Sequence, residues 1–359
     1  MATAFSCTRL LGSSAGCVAT ALLIGALATG PGGATVLPDP DVPAMTAAAD
    51  LIAVGRAQGA AVHRGTANTE SFVVAVDRVL KGSLASAQVP VRLVLAAAGS
   101  STVENGAYGI FFLRRTAQGP YFAADPYHPA LAAAPKHRPG VPTAADPLAA
   151  VADELTAVLA AVPATLTASP DPADAQWIQF DAAAELQTIP YAAAAAALRG
   201  VAAAKRLPAQ LWAISCILNM AGKEELKSAA AAYLAAVQSA LLDPGADAEF
   251  AAAAIARSMP GRVSSPQAVP TIATLLGSKQ VTVRRAAANT LADIADAGVV
   301  RPLAKVALND DDEDVRYYAV RGLAAATHAA AVPAIAGFRQ TESESLQFWR
   351  NWARRLPTP

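Results

Sequence analysis

The chain has 359 residues, of which 28 are basic and 28 acidic, so its formal net charge is zero. A balanced surface has no long-range field to gather phosphate backbones or anionic lipid, which argues against nucleic acid as a partner. Apolar residues make up 54% of the chain and aromatic ones 6%. Much of the apolar content is alanine, which lets helices pack backbone close to backbone, and the length suits two domains or one domain plus a repeat array.

The N-terminus, "MATAFSCTRLLGSSAGCVATALLIGALATG", has one cation, Arg9, and then an apolar stretch from Val18 to Leu27. It closes in Ala26-Leu27-Ala28, small residues at the two positions a signal peptidase reads, so residues 1–28 are expected to be a cleaved export signal. The apolar stretch is short for a bilayer span; an uncleaved anchor is the alternative. Lipid attachment at Cys17 is poorly supported, because Cys17 precedes the apolar stretch. The expected location is secreted or periplasmic, with no stable membrane insertion after cleavage. Cys7 and Cys17 would leave with the signal, and the remaining Cys216 has no cysteine to pair with. Cys216 sits in the apolar run "LWAISCILNM", where a buried core thiol is expected rather than a nucleophile.

From Ala48 to about Tyr127, short runs rich in Val, Ile and Phe alternate loosely with Gly, Asn, Ser and Pro clusters. That spacing predicts a small closed β-barrel, with the domain set at residues 36–128. Residues 129–147 hold five prolines and no sustained period, which predicts an extended linker. Asp146 then opens "PLAAVADELTAVLAAV", with Leu148, Val151, Leu155, Val158 and Leu159 on one helical face. A second proline-rich break, "ASPDPADAQ", follows, and from Trp177 onward nearly everything reads as helix, so residues 148–359 are set as one helical repeat domain.

Internal repetition organises the last third. "VPTIATLLGSKQVTVRRAAANTLADIADAG" aligns with "VRPLAKVALNDDDEDVRYYAVRGLAAATH": Pro270 falls on Pro302, Leu276 on Leu308, Val283 on Val315, Arg284 on Arg316, Ala287 on Ala319 and Leu291 on Leu323, each pair 32 residues apart. A third copy begins at Pro333, 31 residues after Pro302. A fixed period of this size with two helices per unit predicts an α-solenoid. Proline near the start of each first helix removes an amide that had no acceptor, so it is expected to cost nothing. "FWRNWARR" reads as the terminal cap: Phe348, Trp349 and Trp352 cover the last apolar face, while Arg350, Arg354 and Arg355 face water.

These residues resemble a family. The proline-led first helix, polar turn and Val-Arg start of an alanine-rich second helix are similar to the short HEAT-like repeats related to those of phycobilisome lyases. The resemblance is strong over 269–326 and weaker back through "LPAQLWAISCILNMAG". The barrel region resembles netrin-like, or tissue-inhibitor-of-metalloproteinase-like, OB domains, on the Lys81-Gly82 turn and "NGAYGIFFL". Those inhibitors chelate zinc through an N-terminal cysteine. The mature N-terminal half expected here has none, so that mechanism does not carry over.

One stretch suggests chemistry. Asn309 to Asp314 is an unbroken acidic and amide run, and Asp310, Asp312 and Asp314 match positions 1, 3 and 5 of an EF-hand loop. Position 6 is then Val315 instead of glycine, and position 12 is Arg321, a cation where a bidentate glutamate belongs. The run is therefore expected to be a turn and helix cap, paired with Arg284 or Arg316 of the repeats. His63, His128, His137 and His328 lack ligand spacing and are expected to be ordinary surface or linker residues. Asp153 and Glu154 are expected on the solvated face of their helix. There is no GxSxG elbow, SxxK, phosphate loop or dinucleotide fingerprint. No catalytic, cofactor-binding or metal-binding residue, and no cofactor, is assigned.

The sequence thus predicts an OB-like β-barrel followed by an α-solenoid of HEAT-like repeats. The leading function is non-catalytic protein binding or scaffolding. A protease-inhibitor-like role for the barrel is the alternative, and tetrapyrrole-related lyase or binding activity, implied only by the repeat's relatives, comes third.

Overall fold

The computed structural model describes residues 39–63, 69–94, 103–117, 119–135, 137, 146–167, 172–204, 206–242, 259, 266–327 and 338–354. The expected signal segment, His328, Arg355 and the start of the third repeat copy lie outside them.

The strands are β1 (Leu51–His63), β2 (Thr69–Lys81), β3 (Gln88–Val94), β4 (Tyr108–Arg114), β5 (Tyr121–Ala123) and β6 (Leu131–Ala132). They pair in the order β1-β2-β3-β5-β4, and β4 returns to β1, so five strands close into a barrel; β6 adds to β4. Every pairing is antiparallel except β3 with β5. This is the expected OB-like barrel. In β3, Val89, Val91 and Leu93 point inward and alternate with exposed neighbours, as a half-covered strand must. They meet Phe72 and Val74 of β2, and the Phe72 ring lies 6.0 Å from that of Phe111. By contrast, β1 and β4 open as continuous apolar runs because they are covered twice. Leu51, Ala53, Phe111 and Leu113 fill the barrel, while Ile52, Val54, Ile110 and Phe112 meet helices on its outside.

The first of those helices, α1 (Val42–Ala48), is capped by Asp41, whose Oδ1 accepts the Ala44 amide at 3.0 Å. Its last turn is closed by Lys81, whose Nζ donates to the carbonyls of Thr46 (2.9 Å) and Ala47 (3.2 Å). Gly82 follows at φ +84°, where a Cβ would come within 2.4 Å of the Asp50 carbonyl oxygen. Only glycine fits there. The Lys-Gly corner thus seats α1 against the barrel.

Within 129–147, the stretch read as linker, Leu131 and Ala132 form β6, and Ala133 and Ala134 are buried. At its end the Asp146 Oδ1 accepts the amides of Leu148 and Ala149, both at 3.1 Å, and starts α2 (Pro147–Ala160). Val151, Leu155, Val158 and Leu159 are buried as their period predicts. Ala152, Glu154 and Thr156 are buried too, which corrects the expected solvated placement of Glu154. The physical reason is position: α2 has β2 on one side and α3 (Pro172–Thr188), α4 (Tyr191–Ala203) and α5 (Leu207–Met220) around it. A helix covered this widely keeps little solvated face, and Asp153 on it stays only partly exposed.

On α5, Cys216 is fully buried, its thiol directed at the Ala183 carbonyl 3.8 Å away. Next along the chain, α6 (Lys223–Leu242) packs on α5. Two repeat units follow, α7 (Val269–Leu275) with α8 (Val281–Ile294), and α9 (Ala297–Lys305) with α10 (Glu313–Thr327). The aligned positions Val283 and Val315, Ala287 and Ala319, and Leu291 and Leu323 are all buried, because α8 and α10 lie against each other. Pro270 is in the first turn of α7 as expected, but Pro302 stands inside α9. The cause is Asp296, whose Oδ1 accepts the Gly298 amide at 2.7 Å and starts the helix before the proline. There the ring removes a helical hydrogen bond, so this proline is not free of cost. The final helix, α11 (Phe338–Ala353), buries Trp349 completely, with the rings of Phe348 and Trp352 edge-on to it at 5.1 and 5.4 Å. Arg354 is exposed, whereas Arg350 reaches back to the Leu308 carbonyl.

Candidate functional site

The acidic run lies where the two repeat units meet. Asp310 accepts two hydrogen bonds from Arg284, at 2.6 and 3.0 Å, and Asp312 two from Arg285, at 2.8 and 2.6 Å. Asp312 also accepts the Val315 amide at 3.1 Å, as an N-cap, and Asp314 lies 3.2 Å from Arg285. Burial works against the charge of Asp310, but Arg284 and the Asp312 amide outweigh it and hold the carboxyl below its ordinary range. Arg285 does the same for Asp312, against a smaller burial penalty. These oxygens are directed at guanidinium and amide donors. No group of carboxylate, histidine or cysteine side chains among the described residues is arranged to hold a metal ion.

The arginine of the repeat also binds its own turn. Arg284 Nη1 donates to the carbonyls of Ser278 (3.0 Å) and Lys279 (3.3 Å), and Arg316 Nη1 to those of Asp310 (2.9 Å) and Asp311 (2.8 Å). The same bond recurs one repeat later. Arg284 therefore closes its own turn with one edge and grips the next unit with the other. Sequence reasoning found Arg284 and Arg316 but missed Arg285, whose aligned position, Tyr317, is not basic.

The second helices present a shared outer stripe. Thr282, Arg285, Asn289 and Asp293 recur at helical spacing on α8, beside Asp314, Tyr318, Arg321 and Ala325 on α10. Arg321 bonds Asn289 Oδ1 at 2.6 Å and Asp293 Oδ1 at 2.5 Å, and its guanidinium stands over the Tyr318 ring at 5.3 Å. Tyr317 meets Tyr318 edge-on at 5.4 Å. Burial, with the Asp314 charge nearby, pushes the Tyr318 hydroxyl above its ordinary range. The stripe is an ordered arginine-tyrosine surface, the composition from which protein hot spots are drawn.

A second polar cluster joins barrel to helices. Arg78 of β2 makes a bidentate pair with Glu154, which is 0% exposed, and donates to Tyr108 Oη at 3.0 Å and the Ala134 carbonyl at 3.3 Å. Burial first, then Asp77, pushes the Tyr108 hydroxyl up to about 12. The neighbouring Asp153 pairs instead with His137, at 2.8 Å. His128 pairs with Asp125 at 3.0 Å and His63 with Ser71 at 2.8 Å. The three described histidines each have a separate local partner, and the structure does not bring them together.

An OB-like barrel continued by paired, stacked helices defines a helical-repeat protein of the α-solenoid kind. Residues 234–324, about a quarter of the chain, match the family model for HEAT repeats. No curated protein matches the chain. Repeats of this family indicate protein interaction or scaffolding and are typically non-catalytic. Among the described residues, no helix is long and apolar enough to cross a membrane.

Proposed function

We propose that this chain is an exported, non-catalytic scaffold that binds another protein through the α8–α10 stripe. The observation that carries the reading is the HEAT match at 234–324 together with the ordered row of Arg285, Tyr318 and Arg321 on the helices it covers. Guanidiniums already held by Asp312 and Asp293 lose little side-chain freedom on docking, which lowers the entropic cost of an interface. Export rests on the N-terminal pattern of Arg9 and the apolar stretch, and places the working site in the periplasm or outside the cell. The inhibitor-like and tetrapyrrole-related readings rest on resemblance alone, so the scaffold reading leads.

The test uses the whole chain as bait in an envelope extract, beside Thr282→Arg and Ala325→Arg. Both positions are exposed on the stripe, and neither belongs to the ion pairs described above. A protein recovered by the parent and lost from both variants supports the proposal. Repeatedly empty captures, or equal recovery by all three baits, would sink it.

A further inference from the structure

The barrel carries a second surface, independent of the repeats. Cross-strand register sets Arg92 of β3 beside Phe122 of β5, and Phe122 beside Arg114 of β4. The residues next to them, Val91, Leu113, Tyr121 and Ala123, belong to the barrel core or pack against it. Alternation therefore turns Arg92, Phe122 and Arg114 outward in one row. Both arginines are exposed and Phe122 is half-buried. Neither guanidinium has an ion-pair or hydrogen-bond partner among the described residues, unlike Arg78, Arg284, Arg285 and Arg321.

Beside this row runs an open groove of about 340 Å³, bounded by Ser71, Val73, Pro90, Arg92 and Pro120. Ser71 is the register partner of Arg92 on the side away from Phe122, so groove and row are continuous. The surface thus offers two unpaired cations, an aromatic platform between them and an apolar slot at one end.

We propose that this face docks an extended acidic segment of a partner protein. Its two carboxylates would meet Arg92 and Arg114, with the residues between them lying across Phe122. Spacing narrows the sequence of that segment. The arginines are two strand intervals apart, about 9.6 Å. In a polyproline-type segment, side chains three residues apart share one face and lie about 9.3 Å from each other. An extended β-strand repeats its face only every two residues, about 6.8 Å, which fits less well. The matching ligand is therefore two acidic residues separated by two others, with proline or an aliphatic residue nearby for the groove. A single-stranded nucleic acid fits less well, because it needs a continuous cationic track with several stacking rings. This row has one outward ring and two free guanidiniums, on a chain of zero net charge.

The test is fluorescence anisotropy with the full chain and three labelled probes. One is a proline-containing decapeptide with two glutamates three residues apart, the second its glutamine counterpart, and the third a ten-nucleotide oligothymidine. The glutamate peptide should bind at least about tenfold tighter than the glutamine peptide, weakening as salt is raised. Arg92→Gln/Arg114→Gln should abolish that preference, and Phe122→Ala should reduce affinity severalfold. The melting temperature of the arginine variant should stay at the parent value, since neither side chain holds the fold. Equal binding of the two peptides, a preference that survives the arginine variant, or tighter binding of the oligothymidine would each overturn the proposal.

Discussion

Replacing Arg78 by methionine keeps most of the side-chain volume and removes the only ion-pair partner of Glu154 among the described residues. Glu154 is 0% exposed and would be left as an uncompensated charge between β2 and the helices that enclose α2. Removing one member of a buried pair costs about 3–5 kcal/mol. Here the upper part of that range is expected, because Arg78 also serves Tyr108 Oη and the Ala134 carbonyl. The double variant Arg78→Met/Glu154→Leu removes both charges and should recover most of the loss, to within about 1 kcal/mol of the parent. Urea titrations followed by circular dichroism and tryptophan fluorescence measure both costs. A single-variant cost below about 1 kcal/mol, or a double variant no better than the single, would refute the buried-pair reasoning.

Gly322 of α10 faces Ala292 and Leu303 so closely that a Cβ would lie 2.9 Å from the Ala292 Cα and 2.6 Å from Leu303 Cδ1. Gly322→Val should therefore cost about 1–3 kcal/mol by overcrowding, read as a lowered urea midpoint. Arg284→Ala removes the Asp310 pair and two turn bonds and should cost about 1–3 kcal/mol. The depressed Asp310 and Asp312 groups stabilise the parent above the unfolded carboxyl pKa of about 3.9, and that contribution is lost as pH falls through their lower folded values. Arg284→Ala should flatten this acid limb in thermal melts between pH 5 and 2. Glu185 is raised to about 8, by burial first and then by Asp181, and its Oε2 is enclosed without a hydrogen-bond partner. A raised carboxyl favours the fold below the unfolded value of about 4.3 and loses that advantage as pH rises to about 8. Glu185→Gln should therefore melt higher than the parent at pH 8 and close to it at pH 5. Millimolar calcium should leave the melting temperature unchanged, because Asp310 and Asp312 are already bound by arginines and amides; a rise of several degrees would contradict the cap assignment.

The repeat array was legible in the chain because its core positions recur at one interval. Val283 and Val315, or Leu291 and Leu323, report the same burial twice. The barrel was legible through β3 and its neighbours, where alternation survives, and less so in β1 and β4, where burial on both faces erases it. Glu154 was misplaced because helical periodicity counts apolar positions and cannot see a partner 76 residues away. β6 has two residues, too few for any period, inside a stretch whose prolines signal extended chain. The start of α9 has a local cause that the aligned proline does not signal: the Asp296 cap opens the helix ahead of Pro302. On the candidate stripe, the turn and Arg284 could be read ahead, but Arg285 and Arg321 acquire their roles only when α8 and α10 lie side by side.

The two-edged grip of Arg284 gives the array a polarity. The arginine reads the turn of the unit that follows it, where Asp310 receives it; the turn before it, Ser278-Lys279-Gln280, offers carbonyls and no acid. The two units are thus not interchangeable modules. A unit spliced between them would need an aspartate at its own turn to receive Arg284 and an arginine to pass on to Asp310. The junction is keyed, and a shuffled or duplicated array would keep its continuity only where both halves of the key were copied together.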